Sequence, residues 1–159
     1  MSRAQAFTLR PAANPDLRVL SRIAIEAKAS WGYDQEELQG WADELTVTPE
    51  SLEAQLTFLA EADGEIAGFF QLSGDAAQLE HLWIRPKFMA IGLGRRLLAL
   101  AAAEAARSGQ TKLAIDSDPN ARGFYTACGA VQVGELPAPT ARMPDRTRPL
   151  MELDTSIFK

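Results

Sequence analysis

Residues 84–98 read Ile84-Arg85-Pro86-Lys87-Phe88-Met89-Ala90-Ile91-Gly92-Leu93-Gly94-Arg95-Arg96-Leu97-Leu98. The order is strand, proline, loop, then two glycines opening a helix. Such an order gathers backbone amides and the positive end of a helix dipole at one place, which suits a phosphate or pyrophosphate. Glycines at 92 and 94 remove side chains that would block close approach. Lys87, Arg95 and Arg96 add positive charge nearby. No Gly-Lys-Ser/Thr is present, which excludes a P-loop, and the third glycine of a dinucleotide fingerprint is missing. The plainer alternative is a tight turn capping a packed helix.

Working outward, Gln78 to Ile84 is the strand that feeds this loop. Gly92 to Arg107 is a long helix, stopped by Gly109, and Lys112 to Asp116 is a buried strand. Strand, loop, helix and strand in that order predict a right-handed crossover between parallel neighbours. Upstream, Phe7 to Arg10 is a first strand. Asn14 is expected to cap a helix with Pro15 in its first turn; Leu17, Leu20, Ile23, Ala24 and Ala27 follow at helical spacing. Ser30-Trp31-Gly32-Tyr33 breaks it. Asp34 caps a second helix running through Leu38, Trp41 and Leu45, and Thr48-Pro49-Glu50 opens a short third. Asp63-Gly64 joins the strands Thr57–Ala62 and Glu65–Leu72 as a hairpin.

Downstream, Asp118-Pro119 starts a short helix to Cys128, stopped by Gly129. Val131 to Glu135 and Leu150 to Asp154 are the closing strands, with Pro137 to Asp145 as a proline-bearing loop. The pattern predicts a mixed α/β sheet with helices on both faces, in one domain over residues 1–159.

The chain has 159 residues, 47% hydrophobic and 23% charged, enough for a sizeable core in one globular domain. A net charge of −5 without a basic stripe argues against nucleic acid or an anionic membrane surface, and a cationic amine suits it better. One cysteine, Cys128, excludes an internal disulfide and a CxxC metal pair. No acidic run forms a hard-cation loop, so no metal is expected. The apolar run Leu97 to Ala106 is far below spanning length. Met1 to Phe7 is too short and polar for a signal peptide. The expected location is the cytoplasm.

Two blocks in this order resemble the GNAT superfamily of N-acetyltransferases. The family's Arg/Gln-x-x-Gly-x-Gly/Ala corresponds to Met89-Ala90-Ile91-Gly92-Leu93-Gly94, with Met89 at the first position. Its Asn-x-x-Ala-x-x-x-Tyr-x-x-x-Gly corresponds to Asp118-Pro119-Asn120-Ala121-Arg122-Gly123-Phe124-Tyr125-Thr126-Ala127-Cys128-Gly129, with Asp118 replacing the first Asn. The resemblance spans nearly the whole chain. It implies a mixed, splayed sheet and acetyl-CoA as acyl donor. Leu82, Trp83 and Ile84 would line the acyl arm. Met89, Ala90, Ile91, Gly92, Leu93, Gly94 and Arg95 would hold the pyrophosphate, with Asp118, Asn120 and Phe124 as further cofactor contacts. Because methionine cannot hydrogen-bond a phosphate, main-chain amides would carry that contact.

The resemblance makes Tyr125 the general acid that protonates the leaving sulfur. The base stays open between Glu80, His81 and a water relay. Glu80 and His81 are strand neighbours, so their side chains face opposite sides: Glu80 alternates with Leu82 and Ile84, His81 with Leu79 and Trp83. Trp31 and Tyr33 are candidates for the acceptor wall. Cys128 reads as a small buried residue. The expected activity is acetyl transfer to a primary amine, of a small molecule or a peptide, by direct attack in a ternary complex. The competing reading is an acyl-CoA sensor without turnover. The closing strands are also available to pair in a homodimer.

Overall fold

The computed structural model describes residues 6–158; most of the segment weighed as a signal peptide, residues 1–5, lies outside them. In chain order the elements are β1 (Thr8–Pro11), α1 (Leu17–Ala29), α2 (Gln35–Gly40), α3 (Ala42–Leu45), α4 (Pro49–Ala54), β2 (Leu56–Ala62), β3 (Glu65–Leu72), β4 (Gln78–Ile84), α5 (Leu93–Arg107), β5 (Lys112–Asp116), α6 (Arg122–Ala127), β6 (Val131–Pro137) and β7 (Thr147–Asp154). The strands form one mixed sheet in the order β1-β2-β3-β4-β5-β7-β6. The chain divides into two compact units, one comprising the residues up to Gln71 with His81–Leu98, the other Leu72–Glu80 with the residues from Ala99 onward.

In the first unit, β1 pairs antiparallel with β2, Leu9 opposite Ala60. The β2–β3 hairpin turns at Asp63 (φ 53°) and Gly64 (φ 79°), the double positive-φ geometry that Asp-Gly favours. α1 buries Leu20, Ile23, Ala24 and Ala27. Leu20, Ile23, Ala24, Leu45, Val47, Leu59 and Phe69 form one apolar cluster; each fully buried Leu, Ile or Phe side chain contributes roughly 1.5–3 kcal/mol. α2 opens with a reciprocal cap: Asp34 accepts the Glu37 N–H at 2.8 Å, and Glu37 accepts the Asp34 N–H at 3.0 Å.

Two expectations need correction here. Asn14 is no cap. It lies inside a 3₁₀ turn, Asn14–Asp16, that precedes α1. The Asp16 carboxylate caps that turn by accepting the Ala13 N–H at 2.8 Å, and Arg10 holds it there at 2.9 Å. The predicted helix from Asp34 to Leu45 is two helices, broken at Trp41 (φ −102°, ψ 0°), where the indole packs edge-on against Tyr33.

In the second unit, β4 and β5 pair in parallel, Gln78 with Ala114 and Leu79 with Ile115, as the crossover requires. β5 and β7 run antiparallel, with Leu113 opposite Leu153 and Ile115 opposite Met151; these four side chains are buried. β6 pairs with β7 through a register shift between Gln132 and Gly134. α5 stops at Gly109 (φ 92°), where Gln110 N–H returns to the Ala105 carbonyl at 2.9 Å.

Candidate active site

In the first unit, β4 leads into a 3₁₀ turn, Pro86–Phe88, tied to β3 by Arg85 N–H donating to the Ala67 carbonyl at 2.8 Å. Phe88 is buried. After it the chain takes left-handed conformations at Ala90 (φ 63°) and Gly92 (φ 89°), with Ile91 between them. Alternating handedness of this kind is how a main-chain anion nest is built. The first i→i−4 bond of α5 runs from Arg96 N–H to the Gly92 carbonyl at 3.1 Å, so the Leu93 and Gly94 amides precede the helical ladder. A Cβ built on Gly92 would meet no atom within 4 Å. Ala90, Ile91, Gly92, Arg95 and Arg96 are exposed. The loop is therefore shaped by its own backbone and leaves open space where a diphosphate would rest.

Of the nearby cations, Lys87 is already engaged. Its ammonium pairs with Glu65 at 2.8 Å, and Arg85 pairs with the same carboxylate and with Glu26 at 3.5 Å. Glu26, Ala29, Ser30, Arg85, Pro86 and Lys87 line a groove of about 520 Å³.

Leu82, Trp83 and Ile84 are partly buried along β4. Gly68 explains their placement: a Cβ there would stand 2.7 Å from the Trp83 carbonyl and 2.8 Å from Ile84 Cδ1. Nothing in the sequence reading singled out Gly68, although an isolated glycine inside a strand pattern signals a close backbone approach. Trp83 Nε1–H donates to His81 Nδ1 at 2.9 Å, which puts the two side chains on one side of β4, as the alternation requires. His81 is therefore an acceptor at Nδ1, and burial pushes its imidazole down to about 4.

Trp31 lies against Trp83 with ring centroids 6.0 Å apart, and Tyr33 against Trp41 at 4.7 Å. The sequence reading missed Lys28, which Trp41, Tyr33 and Trp83 surround. Its ammonium stands 4.1 Å from the Trp41 ring, 5.5 Å from Tyr33 and 5.9 Å from Trp83, and the residue is 8% exposed. Cation–π attraction strengthens when the cation is desolvated. The available signal was position: Lys28 falls four residues after Ala24, on the apolar stripe of α1.

The second unit holds Glu80, Asp118, Asn120, Phe124 and Tyr125. Partial desolvation, and then the charges of Asp116 and Asp75, raise the exposed Glu80 carboxyl above its ordinary range. Tyr125 is buried in α6, where burial first, then Cys128 and Asp118, push its phenol up. The hydroxyl consequently stays in its proton-donating form. Phe124 packs edge-on against Tyr125 at 5.1 Å. Asp118 caps the 3₁₀ turn Pro119–Ala121, accepting the Asn120 N–H at 2.8 Å and the Asn120 side-chain amide at 2.9 Å. Its other oxygen meets Arg146 at 3.3 Å.

A family model described as the acetyltransferase (GNAT) domain matches residues 22–137. No curated protein matches the chain by sequence. Solved structures agree in fold. A GCN5-related N-acetyltransferase from Rhodopseudomonas palustris superposes with a TM-score of 0.82 at 22% identity, over 97% of this chain and 99% of that one. The PaiA N-acetyltransferase of Thermoplasma acidophilum, in complex with coenzyme A, gives 0.71 at 20% identity, over 94% and 99%. The ribosomal-protein-S18-alanine N-acetyltransferase of Escherichia coli gives 0.69 at 22%, over 94% of each. With the family model covering most of the chain and the sheet order to match, this protein belongs to the GNAT family of acetyltransferases.

Proposed function

We propose that the chain transfers an acetyl group from acetyl-CoA to a primary amine by direct attack, with no covalent intermediate on the protein. The open, left-handed turn at Ala90–Gly92, in front of the first amides of α5, carries this reading. A diphosphate suits it: the Leu93 and Gly94 amides precede the helical ladder, and Arg95 and Arg96 are exposed on the same segment. The thioester is the chemistry that the bound donor supplies.

The residues divide the remaining work. Met89 to Arg95 hold the diphosphate, and Leu82, Trp83 and Ile84 align the acyl arm. Asn120 and Phe124 serve as donor contacts, Phe124 packed against the acid, while Asp118 serves through its turn. Glu80 is the favoured base, since its raised carboxyl binds a proton more readily. His81 is a weaker candidate, because an imidazole near 4 with its Nδ1 already accepting a hydrogen bond takes a proton poorly. Tyr125 donates to the departing sulfur. With the phenol above its ordinary value and a thiol near 8.5, the hydroxyl acts chiefly as a hydrogen-bond donor to the developing thiolate. Trp31 and Tyr33 form the acceptor wall. The amine class agrees with the alanine acceptor of the similar Escherichia coli protein.

The test is thiol release from acetyl-CoA against a panel of amines, amino acids and peptides. The wild type should release thiol with at least one acceptor, and Tyr125→Phe should lose about 10²–10⁴-fold in kcat while still binding acetyl-CoA. Saturable acetyl-CoA binding with no thiol release across the panel would instead mark a sensor.

A further inference from the structure

Arg146 follows the loop between β6 and β7, and its side chain is 5% exposed. One guanidinium nitrogen, Nη1, donates to the Ala138 carbonyl at 3.0 Å, which holds the group in place. A second, Nη2, donates to Asp118 Oδ2 at 3.3 Å. The Asp118 side chain is itself only 4% exposed, and its remaining oxygen is occupied by Asn120. A further bond seats the same turn on β7, Ser117 N–H to the Pro149 carbonyl at 3.0 Å, and Ser117 Oγ–H braces the turn locally by donating to the Asp118 carbonyl at 2.7 Å. All of these groups lie in the second unit.

Position 118 is where the sequence departs from the family block, a carboxylate standing in place of a neutral amide. A carboxylate this deeply buried is costly unless a cation meets it. Arg146 is that cation. The turn capped by Asp118 runs straight into α6, and Tyr125 sits one helical turn further on. The Asp118 charge is also among the causes that raise the Tyr125 phenol. Loss of Arg146 would leave a buried charge at the root of the helix that carries the hydroxyl, and the turn would open to hydrate it.

We propose that Arg146 is a positioning residue for Tyr125, acting through its buried ion pair with Asp118 to hold the turn that sets the start of α6. This rests on the proposed role of Tyr125 in thiol release. The experiment measures kcat and the acetyl-CoA KM by thiol release on the full chain, for Tyr125→Phe, Arg146→Leu, the two combined, and Arg146→Leu with Asp118→Asn.

Displacement of a reacting group by a fraction of an ångström to an ångström costs up to about a hundredfold, so Arg146→Leu should lower kcat by about ten- to a hundredfold. The acetyl-CoA KM should change far less than kcat, because the diphosphate loop is untouched. In the Tyr125→Phe background the same substitution should cause no further loss, the non-additivity expected of residues acting as a unit. The charge-free combination, Asp118→Asn with Arg146→Leu, should recover most of the kcat lost by Arg146→Leu alone, because the amide can still cap the turn and no buried charge is left unpaired. Should Arg146→Leu alone fail to fold, that double variant still decides: recovery supports the proposal, and a folded protein with a tenfold deficit overturns it. An equal loss from Arg146→Leu with and without Tyr125 overturns it too, since that is what a purely structural residue gives. Undiminished thiol release in Tyr125→Phe alone would remove the acid role itself, a separate failure visible in that single variant.

Discussion

His81 accepts an indole N–H at Nδ1 and sits among Phe69 and Trp83. Protonation would set two N–H groups against each other and place a charge in that surrounding, which is why its imidazole falls to about 4. The linkage follows. The unfolded chain binds the proton near 6.5, so stability from this site is complete above that pH. It is lost progressively as pH falls through the window down to about 4, a total of about 3 kcal/mol. Urea unfolding from pH 7 to 4 should show this loss in the wild type and a shallower pH dependence in His81→Gln. Equal pH dependence in both proteins would mean that His81 is solvated. The sequence revealed that Glu80 and His81 face opposite ways, because strand alternation needs no tertiary information. It was silent on the shifts, since burial depends on what packs across the strand. Lys28 went unread because a lysine on a helix ordinarily marks the solvated side; its place on the apolar stripe of α1 was the one local sign against that, and the surrounding rings decide it.

Among the elements, the turn before α5 and the β3–β4 pair each depend on a glycine, for different reasons. Gly92 needs its backbone conformation, not space. Gly92→Ala should therefore cost about 1 kcal/mol of stability, while Gly92→Asp should abolish acetyl-CoA binding by placing a carboxylate at the proposed phosphate site. Thermal unfolding and isothermal calorimetry separate the two effects; undiminished affinity in Gly92→Asp would show that the phosphates lie elsewhere. Gly68 needs space. A methyl there meets a backbone carbonyl, so Gly68→Ala should destabilise by about 1–3 kcal/mol and raise the acetyl-CoA KM by displacing Trp83 and Ile84. A neutral substitution would mean that β4 yields easily.

Element limits were legible where turn chemistry is local, as at Asp63-Gly64 and Gly109. They were missed where neighbours decide. β7 begins at Thr147, earlier than the sequence suggested, because prolines argue against interior strands. Here β5 ends opposite Leu150, so the missing N–H of Pro149 forfeits no ladder bond on that side.

For the molecule as a whole, ligand binding to the folded state alone raises stability by mass action. Acetyl-CoA at a hundred times its Kd should add about 2.7 kcal/mol, or about 5–10 °C in Tm for a chain of this size. No shift at saturation would refute the donor assignment. β4 and α5 each contribute residues to both compact units, and the single-domain reading predicts one cooperative transition by calorimetry.

Cys128 gives these measurements a convenience. It is the chain's one cysteine and it is buried, so a chromogenic disulfide reagent added to the native enzyme should colour only with liberated coenzyme. Under partial denaturant the same sulfhydryl becomes a clock. Its alkylation rate should report how often the C-terminal end of the α6 helix opens, without any label having to be introduced.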